Sequence, residues 1–147
     1  MNQHLILRVV AKILIPLIAL FAFYVQFHGD YGPGGGFQAG VILAAAVVLY
    51  ALIFGLQAAK DAIPPSWVRI GMTTGVLLYG GTGVATWFLG ANFLDYTIFA
   101  PESTHSAGQH YGILAVELGV LCTVASVMVG IFYAFGSRQP ELSDEDW

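Results

Sequence analysis

The segment His28-Gly-Asp-Tyr-Gly-Pro-Gly-Gly-Gly36 separates two long apolar stretches and forbids a continuous helix across them. Five of its nine residues are glycine and one is proline, so the backbone has to turn where positive φ or close approach is wanted. A helix must restart near Phe37. Such a loop leaves amide and carbonyl groups without helical partners, which is costly if it lies at the edge of a membrane.

Composition places it there. Of the 147 residues 57% are hydrophobic and 10% charged, against about 25% charged in a soluble domain. Four apolar stretches can be marked off, about Ile13 to Phe27, Phe37 to Leu56, Ile70 to Gly90 and Tyr111 to Phe135. Three of them reach the roughly 20 residues needed to cross the hydrocarbon core. The first reaches it if extended back to Val9, with the stem of Lys12 lying along the helix and its charge at the headgroups. The expected fold is therefore an all-α membrane protein with four transmembrane helices. Arg8 and Lys12 before an apolar run would also suit a signal peptide, but no convincing small-x-small cleavage site follows Phe27, so an uncleaved first helix is expected.

The five cations, Arg8, Lys12, Lys60, Arg69 and Arg138, fall in the first segment, the second loop and the tail. By the positive-inside rule both termini are cytoplasmic, and the glycine loop and the Ala91 to His110 loop face outward. The outer loops hold Asp30, Asp95 and Glu102 without compensation, an acidic mouth that would attract cations. The same excess also follows automatically from excluding Lys and Arg. Organisation is simple: a four-helix transmembrane domain over 1–136 and an acidic cytoplasmic tail over 137–147. Cys122 is alone within a span, which leaves no disulfide or cysteine metal site.

Small residues recur along one face of the last span, at Ala115, Gly119, Thr123, Ser126 and Gly130. Similar rows are Gly40, Ala44, Val48, Ala51 and Gly55 in the second, and Gly71, Gly75, Gly80, Gly81 and Gly83 in the third. These faces suit close helix packing, either within the bundle or against other chains.

Glu117 is the acid set well inside a span. Counted from Tyr111 it lies about 9 Å below the outer end of its helix, at roughly 1.5 Å per residue. A carboxylate there costs about 2.5 to 3.5 kcal/mol on insertion scales unless protonated or paired. Helical geometry sets it with Leu121, Val124 and Met128, nearly opposite the small-residue face, so two faces of this helix want protein neighbours. Three readings stay open: a proton or Na⁺ relay, an ion pair or hydrogen bond to a neighbouring subunit, and a neutral buried acid. His28 with Asp30, and His105 with His110, are weaker candidates for proton exchange in the outer loops. Exposed loop histidines are usually only solvated.

No phosphate-cradling Walker sequence, no His-Glu-x-x-His and no convincing Ser/His/Asp set occurs, so no catalytic residue and no metal ligand is assigned. Nor is there the broken-helix inverted repeat of a self-sufficient transporter. A subunit of a larger membrane machine fits better.

The segment from His28 to Ala46 resembles the signature of the MnhB component of Mrp-type multisubunit Na⁺/H⁺ antiporters. A loop of the form Pro-Gly-Gly-Gly-Phe-x-x-Gly opens the second helix in that family, matched by Pro33, Gly34, Gly35, Gly36, Phe37 and Gly40. Glu117-Leu-Gly-Val120, early in the last helix, is a second similarity. The resemblance implies a multi-pass accessory subunit of the bacterial cytoplasmic membrane, needed for assembly and with a possible share of the ion route through Glu117, His28 and Asp30. It implies other antiporter subunits (A, C, D, E, F and G type) and lipid as partners, no nucleic acid, and no cofactor beyond Na⁺ and H⁺ as transported ions. Related subunits occur in ion-translocating membrane-bound hydrogenase-type complexes, which stay as the alternative. Pro33 and Phe37 are expected to shape the loop and to anchor the restarted helix.

Overall fold

The computed structural model describes residues 5–29, 32–99 and 105–138, and every regular element among them is helical. In chain order these are α1 (Leu5–His28), α2 (Gly36–Phe54), α3 (Leu56–Ala62), α4 (Pro65–Phe88), a 3-10 turn at Tyr96–Phe99 and α5 (His105–Gly136). Helix α1 runs from Leu5 rather than Val9 and takes Arg8 and Lys12 into its first turns, with Pro16 accommodated inside it. The apolar run from Phe37 to Leu56 is divided at Gly55, whose φ of 100° ends α2 and lets the short α3 begin. Pro64 then opens α4, with Pro65 at the first helical position, where a missing N–H costs nothing.

Among the described residues, three helices are long and apolar enough to cross a membrane: Leu5–His28, Gly36–Phe54 and Ala107–Gly136. Helix α4 has 24 residues, a length of about 36 Å, but Arg69, four threonines and five glycines hold its mean hydropathy down. The described portion of the tail is Ser137 and Arg138; the rest of 137–147, like Asp30 and Glu102, lies outside the described residues.

The four long helices form a row rather than a closed bundle. Helix α5 packs against α4 on one side and α2 on the other, and α1 packs against α2 and barely touches α5. Only Ala11, Ala22 and Gln26 of α1 are buried.

Small side chains make the close contacts. On the α4 side, a β-carbon on Gly75 would stand 2.6 Å from the Thr123 amide nitrogen, and one on Gly119 would stand 2.8 Å from that of Tyr79. On the α2 side, a β-carbon on Gly40 would meet Leu121 O at 3.0 Å. Both small-residue faces are thus used inside the chain, where near contact of backbones maximises dispersion. The exceptions are Gly55, Gly80 and Gly81, which face open space.

At the α3 end, Ala44, Ala51, Ala59, Val68, Val129 and Tyr133 form the buried core. The Tyr133 hydroxyl donates to the carbonyls of Ala59 (3.0 Å) and Ile63 (3.2 Å), and so ties the last turn of α3 to α5. Lys60 donates to Ser137 Oγ at 2.7 Å and lies over the Tyr133 ring.

Candidate functional site

The glycine-rich turn caps two helices at once. Gly35 N–H donates to Val25 C=O (3.2 Å) and Gly32 N–H to His28 C=O (3.1 Å), satisfying carbonyls at the end of α1. Gly35 is also the N-cap of α2, with φ 125° and ψ 175°, a conformation essentially confined to glycine. Its carbonyl accepts the Ala39 N–H at 3.1 Å. The amides at the head of α2 before Ala39 have no acceptor within their helix, so this end carries the partial positive charge of the helix dipole.

Glu117 reaches this turn from α5. A β-carbon on Gly29 would stand 3.0 and 3.1 Å from its two carboxylate oxygens, and one on Gly35 would stand 3.1 Å from Oε1. The carboxylate therefore occupies the space that side chains at 29 and 35 would fill. Its backbone lies just as near, for the Glu117 carbonyl carbon would be 2.9 Å from a β-carbon on Gly36. An anion at the head of a helix is stabilised by about 0.3–1 kcal/mol, and by up to ~2 kcal/mol when partly buried. That offsets part of the insertion cost noted for an intramembrane acid.

Helix α5 begins at His105 rather than near Tyr111, which sets Glu117 about 18 Å along it from its first residue, at roughly 1.5 Å per residue. The first turns of α5 rise past the glycine turn and are covered by the 3-10 turn, with Gly108 and Gly112 admitting Tyr96. Burial, and then the neighbouring Tyr79, raise the Tyr96 phenol above its ordinary pKa, so it stays neutral. Thr86, fully buried at the foot of this segment, donates to Gly83 O (2.8 Å) and accepts from Leu94 N–H (3.0 Å). That second bond holds Leu94 at φ 66°.

The other candidates are distributed differently. His28 stacks on Tyr24 and meets the loop at Gly32. Asp30 lies outside the described residues. Of the loop motif, Gly34, Gly35, Gly36 and Gly40 each make close backbone approaches, whereas Pro33 is exposed and Phe37 is 64% exposed. Phe37 thus keeps most of its surface outside the packing of the described residues.

Sequence reasoning passed over Gln26. It is 1% exposed, and neither atom of its side-chain amide has a hydrogen-bond partner among the described residues. The signal was present: it is the one amide side chain in the apolar run from Ile13 to Phe27.

These features define a multi-pass, all-helical membrane protein whose intramembrane acid is lodged in a glycine turn. Residues 6–130 match the family described as a domain related to the MnhB subunit of Na⁺/H⁺ antiporter, and the chain belongs to that family. It is 33% identical over 135 residues to the putative antiporter subunit mnhB2 of Staphylococcus haemolyticus (strain JCSC1435), covering 90% of this chain and 94% of that protein. It is 36% identical over 139 residues to the B-type subunit of the Na⁺/H⁺ antiporter of Bacillus subtilis (strain 168), covering 94% and 96%.

Proposed function

We propose that this chain is an accessory subunit of a multisubunit Na⁺/H⁺ antiporter in the bacterial cytoplasmic membrane, without catalytic activity of its own. It works beside subunits of the A, C, D, E, F and G type, and Na⁺ and H⁺ are cargo rather than cofactors. The observation that carries the reading is that Glu117 and the Pro-Gly-Gly-Gly-Phe turn, far apart in the chain, meet in one site. Family membership and the names of the relatives support antiport over the hydrogenase-type alternative.

In this reading α4 is the fourth span, since its length of about 36 Å exceeds the roughly 30 Å of the hydrocarbon core. The confinement of all five cations to one side supports cytoplasmic termini. Glu117 takes part in proton movement at the outer end. An acid set against the glycine backbone and the head of a helix is held in one place, as a proton-transfer group must be.

Everted vesicles carrying the whole complex test this through Na⁺-dependent collapse of a preset pH gradient. Exchange should disappear when this chain is omitted, and vesicles holding the chain alone should show none. Glu117→Gln should assemble normally on native gels and lose exchange; normal exchange would remove the acid from the route. Cysteines replacing Asp30 and His105 should react with an impermeant thiol reagent from outside, and one replacing Lys60 should not.

A further inference from the structure

Arg8 and Lys12 stand one helical turn apart on one face of α1. Both are exposed, and neither has an ion-pair or hydrogen-bond partner among the described residues. With Ile15, Pro16, Tyr50 and Phe54 they line an open groove of about 510 Å³ between α1 and α2, within the roughly 300–1,000 Å³ of small-molecule sites. The two aromatic rings lie 4.9 Å apart near the end of α2. That helix has 19 residues, about 28 Å, which nearly matches the hydrocarbon core. The groove therefore opens where the apolar span ends, at the level of lipid headgroups.

Ile15 and Tyr50 also line a second groove, of about 230 Å³, which continues along Ala19 of α1 and Leu43, Ala46 and Val47 of α2. On both helices these residues step away from the cations toward the middle of the span. A basic mouth that adjoins an apolar slot leading into the membrane fits an amphipathic anion. Free phosphate would use the mouth and leave the slot empty. A carboxylate from another subunit would do the same, having no alkyl chain to lay in it.

We propose that this groove binds an anionic glycerophospholipid, with its phosphate between Arg8 and Lys12 and the upper part of one acyl chain in the slot past Ile15 and Tyr50. Basic pockets between membrane helices hold anionic headgroups in this way. The Arg8 guanidinium supplies directed donors and the Lys12 ammonium a mobile point charge. Pro16 removes the N–H that would pair with the Lys12 carbonyl, which leaves that oxygen without its α-helical donor and suits a headgroup bearing hydroxyls. The lipid would fasten the outermost helix of the row, which buries only Ala11, Ala22 and Gln26 against protein. The groove carries this inference without the antiporter reading; only the choice of the cytoplasmic leaflet rests on the topology given there.

The test is photo-crosslinking in membranes that hold the whole complex, with phosphatidylglycerol carrying a photoreactive group high on one acyl chain, and its phosphatidylcholine counterpart for comparison. Cross-linked peptides should map to the Ile15 to Ala19 and Leu43 to Tyr50 segments with the anionic lipid and be much weaker with the zwitterionic one. Arg8→Gln and Lys12→Gln each leave one cation to hold the orientation of α1. Each should raise the lipid concentration for half-maximal labelling about fivefold, the effect of one basic group near an anionic surface, whereas Arg69→Gln, outside the groove, should not. Ala19→Leu narrows the slot without touching the charge and should weaken labelling as well. Glycerol phosphate, a headgroup without chains, should not compete at concentrations that displace nothing from Ala19→Leu. Equal labelling by both lipids overturns the proposal, as do unchanged half-maximal concentrations in both glutamine variants. Full competition by glycerol phosphate would make the groove a site for a free anion. No labelling of these segments in the wild-type complex, or loss of the subunit from the complex in either glutamine variant, would mean that another subunit covers the cations, and overturns it too. The readout is lipid binding, so a complex that binds the lipid and fails to exchange would defeat the antiporter reading alone.

Discussion

The two ends of this helix row are closed by opposite means. At the α3 end, side chains reach across: Tyr133 bonds two carbonyls, and Lys60 spans from α3 to Ser137. At the glycine end the side chains have been removed, and backbone meets backbone with one carboxylate filling the space left over. A clasp of long side chains tolerates change because each member can move aside. A contact between two backbones cannot yield, so its geometry is held to tenths of an ångström. The tolerant end suits a structural role, and the unyielding end can keep an ionisable group in one place.

The comparison is broken most directly at Gly36. A methyl group there would collide with the backbone of Glu117, and overpacking of this kind costs about 1–3 kcal/mol or more. Gly36→Ala should largely remove the subunit from the complex on native gels, whereas Gly81→Ala, facing open space, should assemble normally. Gly35→Ala comes next. It meets the carboxylate oxygen, which can shift, but it also forces alanine to φ 125°, at about 1–3 kcal/mol. Reduced exchange with partial assembly is expected, and full activity would mean that the turn has other conformations open to it.

At the opposite end the effects are smaller. Tyr133→Phe removes the single hydroxyl proton shared between Ala59 O and Ile63 O, worth about 0.5–1.5 kcal/mol, and should lower the temperature at which the complex dissociates by a few degrees while leaving the exchange rate alone. Lys60→Ala is the mildest, because an exposed contact of this kind contributes about 1 kcal/mol or less. A marked loss of exchange in either variant would mean that the α3 end has more than a structural role.

Much of this was readable from residue types. The glycine run marks the turn because helix cannot cross it, and Glu117 stands out because an acid is costly in a span. What could not be read was their meeting, since nothing along the chain says which helix neighbours α5 on the acid's face. The small-residue rows left internal and external packing equally open, and only the placement of α4 and α2 on either side of α5 assigns both inward. The start of α5 was missed because His105, Gln109 and His110 read as loop by polarity, whereas Gly108 and Gly112 among them pack against the 3-10 turn. Gln26 was overlooked for a related reason: an amide looks mild beside a charge, and its cost appears only once its surroundings are known to offer no partner.

The row arrangement bears on how the chain is made. Helices α2 and α4 scarcely touch each other, and both depend on α5, which follows them in the chain. The α1–α2 hairpin can enter the bilayer early, but the groove at Gly36 and Gly40 stays open until α5 arrives. Until then the chain is two pieces joined by the α3 segment, and any product cut short before Glu117 lacks the helix that both pieces pack against.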